Sequence, residues 1–183
     1  MNFIKTFFIS LIIYLGLNLV FALIMVYSSP ILSAQPDVGI YIIAMMFGPI
    51  TTSPSVAWID SGIISLIQSF QLGGDPLTAT ILFLYYIIPP LLTVIIGGAI
   101  ADSTSIAFLS WLLLAIISII AYILIIVFAG SNPLVSPSLY FGIYTLLWFL
   151  YGPTDLYIAM ILFGLLNIFL YGCVSFLVTR KKL

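Results

Sequence analysis

The sequence predicts an all-α integral membrane protein with four transmembrane helices and both chain ends in the cytoplasm. Three observations predict it. The 183 residues are 64% hydrophobic and only 5% charged, whereas a soluble domain carries about 25% charge. Mean hydropathy is +1.37, and a soluble protein this apolar would expose large patches and aggregate. No basic residue lies between Lys5 and Arg180, and all five acidic residues are aspartates.

Four segments are long enough to span, which takes about 20 apolar residues: 7–27, 79–101, 107–129 and 156–178. None has an acid or base in its middle, and none alternates apolar with polar residues as a barrel strand would. The first is longer than the ~7–15 residues of a signal-peptide core, so it reads as a true first helix or an uncleaved anchor. Lys5 precedes it, and Arg180, Lys181 and Lys182 follow the last. The excess of Lys and Arg on cytoplasmic loops then puts both ends inside, which requires an even number of crossings. A plasma membrane is the expected location. Asp37, Asp60, Asp75 and Asp155 fall outside, and Asp102 lies in a short inner turn.

The outer loops carry the remaining sequence. The first, 28–78, holds a short apolar segment at 38–50, VGIYIIAMMFGPI. Thirteen residues are too few for a helical crossing, so a re-entrant, interfacial or partner-buried segment is expected. An amphipathic helix at 56–72 follows, with Ile59, Ile63, Leu66, Ile67 and Phe70 on one side and Trp58 as interfacial anchor. The second outer loop, 130–155, holds an apolar segment at 140–151. The two short segments read alike, VGIYIIAMMFGP against FGIYTLLWFLYGP. Their flanks echo each other as well: SPILS and NPLVS before, an aspartate and ILF after. This pattern suggests a 2+2 parallel repeat about an axis along the membrane normal.

Several residues stand out as polar or helix-packing positions. Asn18 and Asn167 sit near the middles of the first and last helices, where a side-chain amide needs a partner. They are expected to bond between helices or to line a polar site. Pro89 and Pro90 fall halfway along the second helix, where each removes a backbone donor. That produces a bend or, as in transporters built on discontinuous helices, a binding site. Gly97 and Gly98 allow close helix approach, as do Gly16, Gly164 and Gly172. Asp102, with Ser103 to Ser105, is expected to cap the third helix. Cys173 reads as a small packing residue. Trp111, Trp148, Tyr171 and other aromatics read as an interfacial belt.

The absences restrict the chemistry. There is no histidine, no glutamate and one cysteine. Haem held by histidine, cysteine-ligated iron–sulfur clusters and structural zinc are excluded within this chain. No phosphate-binding loop or dinucleotide fingerprint occurs, and no basic patch for nucleic acid. No catalytic, cofactor-binding or metal-binding set is visible. The first functional expectation is therefore a non-catalytic accessory or scaffold subunit, packed against other integral membrane subunits and lipid. A small channel or permease for a cation or small solute, working as a homo-oligomer, is the alternative. A membrane enzyme acting on lipid is the third.

Overall fold

The computed structural model describes residues 2–28, 38–51, 76–130 and 153–180. It is all-helical over these residues. Four helices are long and apolar enough to cross a membrane: α1 (Phe3–Ser28), α3 (Pro76–Ile100), α4 (Thr104–Gly130) and α5 (Pro153–Arg180). Between α1 and α3 lies the short α2 (Val38–Phe47), which tightens into a 3-10 turn, Gly48–Thr51. The chain is therefore a multi-pass membrane protein. The segments 56–72 and 140–151, Asp37, Asp60, Asp75, Trp148, Lys181 and Lys182 lie outside the described residues, and with 140–151 so does the second short insertion of the expected repeat.

The long helices start about one turn earlier than hydropathy alone suggests, because polar first turns are helical too. Asn2 caps α1, its Oδ1 accepting from the Lys5 amide at 3.1 Å. Ser103 caps α4, its Oγ accepting from the Ile106 amide at 3.3 Å. Asp102 lies exposed beside that cap. This is the usual side-chain answer to the free amides at a helix start.

Each long helix runs antiparallel to its sequence neighbour. α1 packs chiefly on α3, α4 on α5, α3 on α5 and α1 on α4, forming a four-helix bundle. Gly97 and Gly98 hold the contacts at one end. A Cβ on Gly97 would lie 2.6 Å from Ser10 Oγ, and one on Gly98 would lie 2.9 Å from the Ser175 carbonyl oxygen. Thr179 Oγ1 donates to the carbonyls of Gly98 (3.1 Å) and Ser175 (2.8 Å), tying α5 to α3 there. In lipid, where tails are as apolar as leucine, such close backbone approach is what holds helices together. These contacts bring the start of α1 and the end of α5, hence Lys5 and Arg180, to the same end of the bundle. Gly16 differs: nothing lies within 4 Å of a Cβ there, so it faces outward.

α3 passes through Pro89 and Pro90 as one continuous helix. The expected interruption is not a break. The prolines remove the helical donors to the Tyr85 and Tyr86 carbonyls, while Thr93 Oγ1 donates back to the Pro89 carbonyl at 2.7 Å.

The bundle has an apolar core, Phe7, Val94, Trp111, Leu114, Ile119 and Ile168 among it, with polar side chains set into it, and an apolar outer surface. Thr6, Ser10, Asn18, Thr93, Ser110, Ser118, Asn167, Ser175 and Thr179 are buried. Ile12, Val20, Ile24, Leu113, Ile120, Leu166 and Phe169 are among the large side chains exposed along the outer faces. Trp111 and Tyr171, expected at the interface, are buried instead. Their rings meet edge to face at 5.7 Å, and Trp111 Nε1 donates to the Ile168 carbonyl at 3.3 Å, which satisfies the polar tip. Cys173, expected to pack inside, is exposed.

Candidate functional site: the buried tip of a half-helix

α2 is the apolar segment expected to be re-entrant, interfacial or covered by a partner. Its ten residues rise about 15 Å, half of a hydrocarbon core of about 30 Å. It packs along α1 and against α4, and its 3-10 tip touches α3, α4 and α5. Phe21, Met25, Met45 and Tyr85 gather beside its shaft. Its tip reaches Tyr14 and Asn18 of α1 and Asn167 of α5, near the middle of the bundle. α2 therefore enters from the end where α1 finishes and stops halfway, and α3 starts again from that same end.

Stopping a helix there sets a specific problem. The last carbonyls of a helix have no intrahelical donors, and hydrocarbon offers no water to supply them. Here side chains supply them. Tyr85 Oη donates to the Met45 carbonyl at 2.6 Å. Asn18 Nδ2 donates to the Met46 carbonyl at 2.9 Å. Thr51 Oγ1 donates to the Gly48 carbonyl at 2.7 Å. Asn167 Nδ2 donates to the Ile50 carbonyl at 2.7 Å. Three long helices thus each send one donor to the negative end of the half-helix dipole. The turn Gly48–Thr51 is fully buried, and a Cβ on Gly48 would sit 2.8 Å from the Tyr85 hydroxyl oxygen. Glycine is required there for close approach.

Beside these satisfied groups lies a second set. Tyr14, Asn18 and Ser118 bring a hydroxyl, an amide oxygen and a second hydroxyl to the same place. All three residues are 0% exposed. The Tyr14 hydroxyl is the hub, facing the Asn18 and Ser118 side chains and the Ile50 backbone. The three side chains stand within hydrogen-bonding reach of one another and form a small polar cluster beside the half-helix tip.

Of the positions singled out in the sequence, Asn18 and Asn167 meet at this tip. Both bond to the half-helix backbone. Pro89 and Pro90 are buried one turn along α3 from Tyr85. Gly97, Gly98 and Asp102 belong to the opposite end of the bundle. Tyr14, Gly48, Tyr85 and Ser118 carry the site too and escaped sequence reasoning. One signal was available: Thr6, Ser10, Tyr14 and Asn18 recur every fourth residue, a polar stripe on one face of an apolar helix. Among the described residues no group of three His, Cys, Asp or Glu is placed to hold a metal. A groove of about 320 Å³ on the outer surface, lined by Phe3, Leu109, Leu112, Leu113 and Ile116, is apolar and remote in character from this site.

Fold and site define the class: a multi-pass α-helical membrane protein with a half-helix ending inside its bundle. No known protein family, curated protein or solved structure matches the chain.

Proposed function

We propose that the protein is a small channel or permease that moves a small solute past the tip of α2. One observation carries this reading: a helix ends in mid-bundle, its carbonyl end held by donors from three separate helices and bordered by the buried polar side chains of Tyr14 and Ser118. Irregular backbone at membrane depth is tolerated where it is buried in protein or lines a polar cavity. Half-helix ends are a recurring device for handling solutes and ions there. The reading also draws on the buried hydroxyls of Thr93, Ser175 and Thr179, set into the core between the tip and the end bearing Lys5.

In this reading the end with Lys5 and Arg180 faces the cytoplasm of a plasma membrane, in keeping with the positive-inside rule. Homo-oligomers embedded in lipid are the working form.

The accessory-subunit reading loses one of its supports. It drew on short apolar segments in need of a partner, and the tip of segment 38–50 is buried against the chain's own helices, whereas Ile43 on its shaft stays exposed. The lipid-enzyme reading finds no convergent acid, base and nucleophile among the described residues.

The test is reconstitution of the purified full-length chain into liposomes, with osmotic swelling and potassium-gradient dissipation both recorded. Flux of either kind above protein-free liposomes supports the proposal. Liposomes as tight as protein-free controls in both assays overturn it.

A further inference from the structure

The apolar core changes halfway along the bundle. In the half nearer Lys5, Phe7 and Tyr14 of α1, Val94 of α3, Trp111 and Leu114 of α4 and Ile168 of α5 pack together, and Ile50 of the 3-10 turn joins them. In the far half, Ala22 and Met25 of α1, Met45 of α2, and Ile81 and Tyr85 of α3 form a separate cluster. Among the described residues, α4 and α5 contribute nothing to that second cluster.

Three stretches of chain pass from one cluster to the other, and each carries a helix-weakening residue at the crossing. α1 passes between Leu15 and Phe21, through Gly16. The half-helix passes between Met45 and Ile50, through Gly48 and Pro49. α3 passes between Tyr86 and Leu91, through Pro89 and Pro90. Glycine and proline are the two poorest helix formers, and each proline also removes a bond that would stiffen α3. Helices bend sharply at such residues, and the hinges of moving domains are a few positions that absorb the change in backbone angle. The crossings lie at one depth. Asn18, two residues beyond Gly16, bonds the Met46 carbonyl, and Tyr85, one turn before Pro89, places its hydroxyl against Gly48.

The hydrogen bonds between helices sort the same way. Asn18 to Met46 and Tyr85 to Met45 stitch α1, α2 and α3 to one another in the far half. Asn167 to Ile50, Trp111 to Ile168 and Thr179 to Gly98 stitch the near half. Tyr14, facing Asn18, Ser118 and the Ile50 backbone, lies on the dividing line itself, where a pivot moves atoms least.

We infer that the far halves of α1 and α3, together with α2, form one body that pivots on the rest of the bundle about a line through Gly16, Gly48–Pro49 and Pro89–Pro90. The pivot opens the seam where α2 packs on α4. From Pro76 to the prolines α3 runs about 20 Å, so a turn of about 20° carries its start through about 7 Å. The inference goes beyond the transport reading, and it is tested without any flux.

The experiment measures distances between pairs of spin labels on the full-length chain in lipid nanodiscs, with the exposed Cys173 replaced by alanine. Labels at Tyr27→Cys and Leu77→Cys both ride on the pivoting body. Labels at Leu77→Cys and Phe128→Cys report across it, from α3 to α4. All three positions are exposed. The expected result is a single narrow distance within the body and a distribution spread over about 7 Å across it. Gly16→Ala adds a methyl in open space and stiffens one crossing. It is expected to move the population toward a single distance roughly fivefold, the equivalent of about 1 kcal/mol between glycine and alanine in a helix. Pro89→Ala with Pro90→Ala restores both missing donors in α3 and is expected to narrow the same distribution. Elution volume and helical content of each variant are compared with the parent, and Gly16→Ala decides alone where the double variant does not fold.

A distance across the body as narrow as the one within it overturns the inference. So does a distance within the body spread as widely as the one across, since the three helix segments would then not move as a unit. A spread that is unchanged in the folded hinge variants also overturns it, because the motion then turns on other residues. The transport reading stands or falls separately, on the liposome assays.

Discussion

Adding one methyl at Gly48 tests how the half-helix is locked. The new Cβ would stand 2.8 Å from the Tyr85 hydroxyl oxygen, well inside the 3.4 Å where ordinary contact begins. That hydroxyl has no slack, because it donates to the Met45 carbonyl at 2.6 Å. Gly48→Ala therefore expels it and leaves the carbonyl short of a donor. Losing a buried hydrogen bond and stranding its partner costs about 1–3 kcal/mol, offset by up to about 1 kcal/mol from replacing glycine in helical backbone. We expect a net loss of about 2 kcal/mol. Tyr85→Phe loses the same bond and should cost about 1.5 kcal/mol. It also removes the clashing atom: the next neighbours of the new Cβ are Tyr122 Cε2 at 3.7 Å and Tyr85 Cζ at 4.0 Å, both ordinary contacts. The double variant should thus be no less stable than Tyr85→Phe alone, instead of losing the sum of about 3.5 kcal/mol. Thermal unfolding in mild detergent reads this as a coupling of several degrees, at about 2–4 °C per kcal/mol for a chain of this size. Additive losses would refute the reasoning, because they would mean that the methyl clashes with something other than the hydroxyl.

Five further outcomes are expected. Asn167→Leu strands the Ile50 carbonyl, now held at 2.7 Å, and should cost about 1–2 kcal/mol in detergent unfolding; an unchanged midpoint would mean that the carbonyl has another donor. Gly98→Val pushes against the Ser175 backbone and Thr179 and should lower the midpoint sharply or prevent folding. Gly16→Ala, with open space around it, should stay within about 1 kcal/mol of the parent in the same assay. Unfolding midpoints between pH 5 and pH 8 should be flat to within a few degrees, because the chain has no histidine, the side chain that ordinarily titrates there. Reporter fusions at each end should both read cytoplasmic, and a split result would reject the orientation drawn from Lys5 and Arg180.

The spans were legible because continuous apolar length is a strong signal that needs no knowledge of neighbours. Their starts were less so: Thr104 and Ser105 at α4, and Thr154 and Asp155 at α5, look like loop by hydropathy, yet they supply a helix's first turn. The short segment 38–50 announced itself by length alone. Which of three fates it met depended on donors far away in sequence, and a single sequence does not show that Asn167 faces Ile50. Asn18 and Asn167 were visible as amides in need of partners, but the partners proved to be carbonyls of the half-helix. Tyr14 and Tyr85 were hidden by their company. In a chain with eleven tyrosines, most of which suit a membrane interface, nothing in the residue type separates a buried hydroxyl from a belt residue. Trp111 and Tyr171 misled for the same reason.

The lock on α2 also orders events during synthesis. Asn18 is made before the half-helix, and Tyr85 about two turns of α3 after α3 begins, but Asn167 lies 117 residues beyond the carbonyl it holds. At about 5–20 residues per second, the ribosome needs roughly 6–25 s to travel between them. Throughout that interval the newborn segment has α1 and, later, α3 for company, while the Ile50 carbonyl waits for its donor. The centre of the protein is thus among the last parts to be closed, and a chain stopped short of α5 would leave its innermost turn unfastened at the membrane.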